Sequence, residues 1–359
     1  MRLLLSLTDQ SFAATKSAGI FNVSVGLARG LARLPQVKEL HILGNAECAD
    51  YFADMPAHVT LHLTDTPVPR RFERVKWDQL GVSAAIRAIA PDWALLPKGF
   101  PPFFPRLGKT KLACYLHDLN WEYYAKHTQE EGICPFPWHE LLYFRTLGLR
   151  CLQVADLVLT STHFNKSRFR AYVPGANIEV VGIGFDSPAA TAVQNQGRDV
   201  LFFGSPYPHK LTMKGIQRLK AWLRQRQDEA GIRVHMVGSR LEAINPNDSH
   251  WVKYGRVPQE KLQELMNTTC RTAVYFSDYE GYGMPPVECL RAGIPCVASD
   301  IPAIRENIPA CYLFDNLSEE SFITTMNAAY DKGLTMPCPA FPTWEEVAAR
   351  VVSAMQKSI

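Results

Sequence analysis

The sequence predicts an α/β fold in which two doubly wound units, each built on a parallel sheet, follow one another along the chain. Short apolar runs bounded by turn residues alternate with longer segments of helical period, which is the pattern of parallel strands joined by helices. The alternation stops at the small and polar stretch 187–198 and then restarts. A chain of 359 residues is long enough for two domains that each bury a core.

The first unit begins with an apolar run and contains six such runs that are the length of strands. Three longer segments between them repeat apolar residues with helical period. The predicted strands cover 3–8, 39–43, 93–96, 112–116, 157–160 and 178–181. The predicted helices cover 23–34, 78–89 and 141–155. We expect this first domain to span 1–186.

The second unit repeats the pattern over 187–342. Its predicted strands cover 200–203, 233–237, 251–254, 272–276 and 296–298, and its predicted helices cover 215–227, 259–267 and 286–292. Thr343 and Glu346 have the spacing of a capping box, which predicts a C-terminal helix over 343–357. We expect that helix to pack back onto the first domain.

Composition and charge exclude several classes of protein. The 38 Lys and Arg against 35 Asp and Glu leave a formal charge of +3, too small for a protein that binds nucleic acid by neutralising many phosphates. No apolar run approaches the ~18 residues of a membrane-spanning helix, and Ser6 and Asp9 interrupt the apolar start, so a cytoplasmic protein is expected. The nine cysteines contain no C-x-x-C pair, which favours reduced thiols over disulfides or a zinc site.

A glycine-containing loop between the strand 272–276 and a helix expected to open at Pro286 carries the clearest chemical signal. Gly281 and Gly283 allow the backbone to approach a ligand, and the N–H groups at a helix start bind anions, so a phosphate or diphosphate is expected here. Two carboxylates, Glu280 and Glu288, flank the loop, with Glu288 expected in the first helical turn. Because carboxylates repel phosphate and accept hydrogen bonds from hydroxyl groups, the pattern predicts a nucleotide sugar.

The segment 280–295 (EGYGMPPVECLRAGIP) resembles the E-x7-E region of the family 4 retaining glycosyltransferases. Leu116-His117-Asp118-Leu119 resembles the strand-ending histidine motif of that family, and 161–172 with 182–186 resembles its domain-closing segment. Gly255-Arg256-Val257 resembles its base-side loop. The resemblance implies the GT-B architecture, two Rossmann-like domains facing across a cleft, with the donor bound mainly by the second domain and the acceptor by the first.

The resemblance also implies roles for individual residues. Glu280 is expected to contact the donor sugar, Glu288 the ribose, and His117 the donor sugar near the reacting centre. The backbone that contacts the sugar and phosphate is expected at Gly281, Tyr282, Gly283 and Met284. Arg256 and Val257 belong to the base-side loop, and Gly19 resembles a glycine-containing turn that precedes a helix close to the transferred sugar.

Two lysines are candidates for the cation that neutralises the diphosphate. The family supplies a Gly-Arg pair and a later Lys, whereas here Gly204 is followed by Ser205. Lys210 keeps the family's spacing, and Lys214 keeps its Lys-Gly pair with Gly215. Leaving-group stabilisation without a metal requires some cation, and the sequence contains no Asp-x-Asp, so no metal is expected.

The function that these features predict is metal-independent, retaining transfer of a hexosyl group from a nucleotide diphosphate sugar. The expected acceptor is a carbohydrate or lipid-linked glycan, in glycan or surface-polysaccharide biosynthesis. Two alternatives remain open: a nucleotide-sugar epimerase of similar two-domain fold, and a catalytically silent glycan-binding scaffold.

Two proline-rich loops of the first domain, 98–106 and 133–138, combine aromatic residues with prolines, and the first also carries basic residues. Because proline prevents regular helix or central strand, their aromatics are expected near the surface, where Phe103 and Phe104 contact the acceptor. Peripheral contact with the inner face of a membrane is expected if that acceptor is lipid-linked. An alternative of equal weight is that the aromatic rings of these loops pack inward and close the edge of the domain.

Overall fold

The computed structural model describes residues 1–8, 10, 18–64, 75–127, 136–186, 197–226, 231–335 and 338–358. The chain forms two compact units. Unit 1 comprises Met1–Trp121, Pro137–Ser187 and Phe341–Ile359, and unit 2 comprises Glu122–Phe136 and Pro188–Ala340. Among the described residues, 122–127 and 136 therefore group with unit 2.

Unit 1 is built on a parallel sheet of seven strands in the order β3-β2-β1-β4-β5-β6-β7. The strands are β1 (Arg2–Ser6), β2 (Glu39–Asn45), β3 (Val59–Thr64), β4 (Trp93–Leu96), β5 (Lys111–Tyr115), β6 (Leu157–Thr160) and β7 (Ile178–Val180). Strands β4 and β6 are buried along their whole length, as expected for a sheet covered by helices on both faces.

Unit 2 is built on a second parallel sheet, of six strands, in the order β10-β9-β8-β11-β12-β13. The strands are β8 (Asp199–Gly204), β9 (Val234–Gly238), β10 (Trp251–Lys253), β11 (Cys270–Tyr275), β12 (Cys296–Ser299) and β13 (Leu313–Phe314). The predicted class, α/β with two doubly wound parallel sheets, is confirmed.

The described residues form eleven α-helices. They are α1 (Ala18–Arg33), α2 (Val82–Ile89), α3 (Asn120–His127), α4 (Trp138–Val154), α5 (His163–Tyr172), α6 (Thr212–Gln225), α7 (Gln259–Glu264), α8 (Met284–Arg291), α9 (Pro302–Arg305), α10 (Glu319–Lys332) and α11 (Trp344–Lys357). None of these helices is long and apolar enough to cross a membrane. The eight cysteines that the structure describes are free thiols, and Cys134 lies outside the described residues.

Helix α11 packs against α1 within unit 1, and two glycines make the close approach possible. A Cβ atom added at Gly26 would lie 2.0 Å from the Trp344 ring, and one at Gly30 would lie 2.3 Å from the Trp344 carbonyl oxygen. Because residues four apart lie on the same helix face, these glycines form one groove for the Trp344 end of α11. The predicted capping box is confirmed: Thr343 N–H donates to Glu346 Oε2 (2.7 Å), and Glu346 N–H donates to Thr343 Oγ1 (3.2 Å).

Several predicted helix starts are wrong by two residues or more, and two of these errors concern candidate site residues. Helix α1 begins at Ala18, five residues before the predicted start, so Gly19 lies in its first turn rather than in a preceding loop. Helix α8 begins at Met284, two residues before Pro286. In both cases residues of low helical propensity occupy the first turn. The N–H groups of a first turn have no intrahelical partner, so glycine or proline destabilises the helix little at these positions.

Candidate functional site

The candidate site of unit 2 lies where the strand order of its sheet reverses. Strand β8 pairs with β9 on one side and with β11 on the other. From the carboxyl end of β8 the chain continues to β9, and from the carboxyl end of β11 it continues to β12, in the opposite direction along the sheet. Open α/β sheets bind ligands in the crevice outside such a pair of strand ends. The loop after β8 carries Lys210, and the loop after β11 carries Glu280.

Lys210, Tyr275 and Glu280 form a closed hydrogen-bonded cluster. Lys210 Nζ donates to Glu280 Oε1 and, at 2.8 Å, to the Tyr275 hydroxyl. The Tyr275 hydroxyl in turn donates to Glu280 Oε1 at 2.6 Å. An ammonium group has three N–H donors, so Lys210 retains one for a ligand.

The cluster keeps its charges although little of it is exposed. The side chains of Glu280 and Lys210 are 11% and 21% exposed. Burial acts to raise the pKa of Glu280, but the Lys210 ammonium and the hydrogen bonds from Lys210 and Tyr275 outweigh it, so the pKa lies below its ordinary value. Burial, reinforced by Glu280, raises the pKa of Tyr275 well above its ordinary range, which keeps this hydroxyl protonated as a donor.

His209 connects the turn that carries Lys210 to two other segments of unit 2. Residues Pro208–Lys210 form a single 3₁₀ turn. The carbonyl oxygen of His209 accepts from Asp278 N–H (2.7 Å) and Ser277 Oγ (3.2 Å), in the loop that leads to Glu280. Its Nδ1 shares a 2.7 Å hydrogen bond with the hydroxyl of Tyr124, which is buried.

Aromatic rings enclose His209. Tyr207 stacks on its imidazole at 5.9 Å between centroids, and Tyr124 meets it edge-on at 5.7 Å. Burial, together with the neighbouring Lys210 ammonium, lowers the pKa of His209 to about 3. The imidazole is therefore neutral at physiological pH and acts as a fixed hydrogen-bonding group.

The loop after β11 is held by the buried Ser299 and the half-buried Asn316 and Asn307. Ser277 N–H donates to Ser299 Oγ (2.9 Å), Ser299 Oγ donates to Asn316 Oδ1 (2.6 Å), and Asn316 Nδ2 donates back to the Ser277 carbonyl (2.9 Å). Further along, Asn307 Nδ2 donates to the Tyr282 carbonyl at 3.0 Å. These bonds fix the glycine-containing loop without using its own side chains.

Helix α8 starts from a left-handed residue. Gly283 has φ 88°, and a Cβ atom there would lie 2.9 Å from Ile304 Cγ1, so both backbone and space require glycine. Two of the first four helical residues, Pro285 and Pro286, have no N–H group. Because Val287 N–H is placed to bond the carbonyl of the N-cap Gly283, Met284 carries the one helical N–H among these four residues that is left for an anion, fewer than expected from the sequence.

Glu288 is the fifth residue of α8, and its expected place in the first helical turn is wrong because the helix begins earlier. Its side chain is partly buried. Burial raises the pKa of Glu288 to about 7, although the neighbouring Arg291 acts to lower it. Near neutral pH this carboxyl group therefore exists in both its protonated and its charged form.

The other expected residues of unit 2 lie at the same edge of the sheet. A Cβ atom at Gly204 would lie 2.2 Å from the Ser239 carbonyl oxygen, so this glycine permits the contact between the ends of β8 and β9. Gly255 C=O accepts from Gly238 N–H at 3.1 Å, which places the exposed Arg256 and the following Val257 beside those ends. Lys214 lies in the first turn of α6 and has no ion-pair partner among the described residues.

In unit 1, His117 follows β5 and its Nε2 bonds the Pro97 carbonyl oxygen at 2.8 Å. A carbonyl oxygen only accepts, so Nε2 carries the proton. Burial lowers the pKa of His117 to about 4, although the bond to Pro97 opposes this, and the neutral ring presents Nδ1 as an acceptor. Gly19 is exposed.

No sequence pattern pointed to Tyr275, His209, Tyr124 or Asn316 as site residues. Tyr275 ends an apolar strand and has the pattern of a core residue, and the partners of the other three are distant in sequence. No group of three His, Cys, Asp or Glu side chains that could hold a metal ion exists in the part of the chain that the structure describes.

Comparison with known proteins identifies the segment that carries this site. Residues 198–331 match the family model described as glycosyl transferases group 1. The match contains Lys210, Glu280 and Glu288 and covers all six strands of the second sheet. No curated protein sequence matches the chain.

Solved structures with the same fold cover almost the whole chain. The lipopolysaccharide outer core galactosyltransferase WaaB in its apo form has a TM-score of 0.62 at 13% identity, over 100% of this chain and 98% of its own. The Anabaena protein Alr3699/HepE, solved with UDP and glucose, has a TM-score of 0.61 at 16% identity, over 99% and 98%. An E. coli trehalose-6-phosphate protein bound with UDP-2-fluoro glucose has a TM-score of 0.61 at 14% identity, over 100% and 96%. The chain therefore has the predicted GT-B fold.

Proposed function

We propose that the protein is a retaining glycosyltransferase that moves a hexosyl group from a nucleotide diphosphate sugar to a carbohydrate or lipid-linked glycan. The observation that carries this proposal is the Lys210–Glu280 ion pair beside the start of α8, at the switch point of a sheet whose sequence matches the group 1 model. A cation, two carboxylates and free backbone donors are the groups that a diphosphate between two hydroxyl-rich rings requires.

The donor would be held by three features of unit 2. The remaining N–H of Lys210 and the Met284 N–H bind the diphosphate, Glu280 accepts from hydroxyl groups of the sugar, and Glu288 accepts from the ribose. The backbone at Gly281, Tyr282 and Gly283 lies against the sugar and phosphate. Alr3699/HepE is solved with UDP and glucose, which supports a nucleotide sugar of this kind as the donor class here.

The chemical step exchanges one bond at the anomeric carbon for another. The bond from this carbon to the diphosphate oxygen breaks, and its electron pair leaves with the nucleoside diphosphate. The acceptor hydroxyl oxygen bonds the same face of the carbon, which retains the configuration. On that face the departing phosphate oxygen is the nearest base and takes the hydroxyl proton. Lys210 stabilises the charge that develops on the leaving group.

The remaining predicted residues have supporting roles in this proposal. The neutral His117 offers Nδ1 as a hydrogen-bond acceptor for a sugar hydroxyl group, and Lys214 adds a second positive charge near the diphosphate. Gly204 lies on the diphosphate side, Arg256 and Val257 border the nucleotide base, and the expected contact of Gly19 with the transferred sugar remains a prediction. Metal independence and a cytoplasmic location remain predictions.

Product analysis of the full chain with a UDP-hexose tests this function. Transfer requires an acceptor, releases UDP and continues in excess chelator, and the product linkage keeps the donor's anomeric configuration by nuclear magnetic resonance. Conversion of the sugar without any acceptor would instead identify an epimerase. Glycan binding without release of UDP, GDP, ADP or TDP from the corresponding hexose donors would identify a scaffold.

A further inference from the structure

Unit 1 has an exposed surface of aromatic, aliphatic and basic side chains, which we call the aromatic–basic face. Its large apolar members are Trp138, Phe104, Leu142 and Phe103, which are 77%, 72%, 53% and 38% exposed. Arg145 and Arg150 lie among them. Contiguous exposure of this kind is unusual for side chains without a partner.

Helix α4 provides one side of the face. Trp138, Leu142, Leu149 and Gln153 recur at helical spacing, and the opposite side of the helix is buried in the core through Leu147, Gly148, Cys151 and Leu152. Between α4 and the loop that carries Phe103 lies an open groove of about 230 Å³. It is lined by Phe103, Leu142, Leu149 and the two arginines, and none of its described lining residues is acidic.

The loop holds the two phenylalanine rings at the surface. Phe103 N–H donates to Gln79 Oε1 (2.8 Å), and Phe103 C=O accepts from Arg150 Nε (2.7 Å). The Arg150 guanidinium lies 5.3 Å from the Phe103 ring centroid and 5.8 Å from that of Phe104. The backbone is fixed on both sides of Phe103, and the two rings remain at the surface. The alternative stated for the sequence, that these rings pack inward and close the domain edge, therefore does not hold for Phe103 and Phe104.

We propose that the aromatic–basic face docks onto the surface of an anionic phospholipid bilayer. Exposed Trp and Phe side chains enter the boundary between headgroups and acyl chains, where one part of the surroundings is apolar and the other is wet. Arg145 and Arg150 face the lipid phosphates, which guanidinium groups bind through paired N–H donors. Glu140 is the one acidic residue of α4, so the charge of this helix complements an anionic surface.

Charge also selects a membrane over a second copy of the chain. A symmetric dimer buries the same patch on both subunits. Such a dimer through this face would bring the arginines of two copies together, which is unfavourable. The inference rests on the described side chains of unit 1 alone and does not depend on sugar transfer.

Co-sedimentation of the full chain with vesicles tests the proposal. The probes are vesicles of phosphatidylcholine and vesicles that also contain phosphatidylglycerol. We expect binding to the second kind only, weakening as salt rises because the attraction is partly electrostatic. Phe104→Ser with Trp138→Ser should lower the partition coefficient by about tenfold or more, and Arg145→Gln should lower it by roughly threefold.

The control is Leu317→Ser, which removes an exposed leucine of unit 2 and should leave vesicle binding unchanged. The substituted side chains are exposed, and thermal unfolding of each variant checks that it is folded. Absence of wild-type binding, equal binding to both vesicle types, or unchanged binding of a folded Phe104→Ser, Trp138→Ser variant would each overturn the proposal. A dimer in sedimentation velocity that is lost in this variant would assign the face to a second copy instead.

Discussion

Lys210 and Glu280 are 70 residues apart in sequence and form an ion pair at the carboxyl ends of two adjacent strands, with the Tyr275 hydroxyl bonded to both. Each side chain compensates part of the other's charge, and each can still form hydrogen bonds with a ligand. The pair therefore exists before any donor is bound, so the site does not have to reorganise its charges at the moment of reaction.

Removing the charge of Glu280 should abolish transfer. Glu280→Gln keeps an acceptor for Tyr275 but loses the carboxylate that orients the sugar, so we expect kcat to fall by about 100-fold or more. The measurement is steady-state release of nucleoside diphosphate in the presence of acceptor, with circular dichroism to confirm folding. The matched control is Glu242→Gln, an exposed glutamate whose ion-pair partner is Arg240, which should retain full activity. Activity of Glu280→Gln within tenfold of wild type would contradict the assignment.

Donor binding should depend on pH through Glu288. Because its pKa is raised to about 7, the carboxylate form that accepts from ribose hydroxyls becomes more abundant as pH rises through that value. Calorimetry should show the ratio of wild-type to Glu288→Gln affinity growing between about pH 6 and pH 8. The variant corrects for titration of the nucleotide phosphate itself. A ratio that does not change with pH would show that Glu288 does not contact the nucleotide in its charged form.

The carboxyl group of Glu288 should also make the folded protein less stable at high pH. Its pKa is 4.5 in the unfolded chain and about 7 in the folded one, so the folded state holds the extra proton between these values. The free energy of unfolding should therefore fall as pH rises from 4.5 to 7 through this group. Glu288→Gln should be more stable than wild type by about 1–3 kcal/mol near pH 8 and equally stable near pH 4. Urea unfolding at both pH values gives the comparison, and a variant less stable near pH 8 would be the opposite result.

Tyr124 should act as a positioning residue for Lys210. Tyr124→Phe removes the hydroxyl bonded to His209 Nδ1 and leaves that buried nitrogen without this partner, which should cost about 1–2 kcal/mol of stability. Because the turn that carries Lys210 is then held less firmly, kcat should fall by roughly threefold to tenfold. Tyr312→Phe is the control, since it removes a buried hydroxyl of the same unit, bonded by Thr335 N–H at 2.8 Å, away from the site. If Tyr124→Phe and Tyr312→Phe changed kcat equally, Tyr124 would have a structural role and would not position Lys210.

The strands that sequence analysis located best are those whose burial is complete. Strands β4 and β6 have the predicted bounds because a short apolar run, of four residues in β4 and of three followed by Thr160 in β6, is bounded by turn residues on each side. Strand β3 was missed because it lies at the sheet edge and alternates polar with apolar residues, and β13 because two residues give no period. Edge strands need less apolar surface, so their sequence signal is weaker.

The candidate site was predictable where the signal is local. Glu280, Gly283 and Glu288 occur in one short segment whose spacing points to a loop and a helix start. The contacts of Tyr275 with Lys210 and of Tyr124 with His209 are not local, since the partners are 65 and 85 residues apart. Whether a tyrosine hydroxyl meets an ammonium or an imidazole depends on the paths of several strands, which apolar periodicity does not specify.

Nucleoside diphosphate binding to the full chain tests the central claim most directly. Isothermal titration with UDP, GDP, ADP and TDP should give saturable binding for one of them, with Kd in the range of about 1 μM to 1 mM. Lys210→Met should weaken that binding by about tenfold or more, since it removes the cation that meets the diphosphate, whereas Lys253→Met, at the exposed end of β10, should not change it. Binding of none of the four nucleotides, or equal affinities of wild type and Lys210→Met, would contradict a nucleotide-sugar site at this cluster.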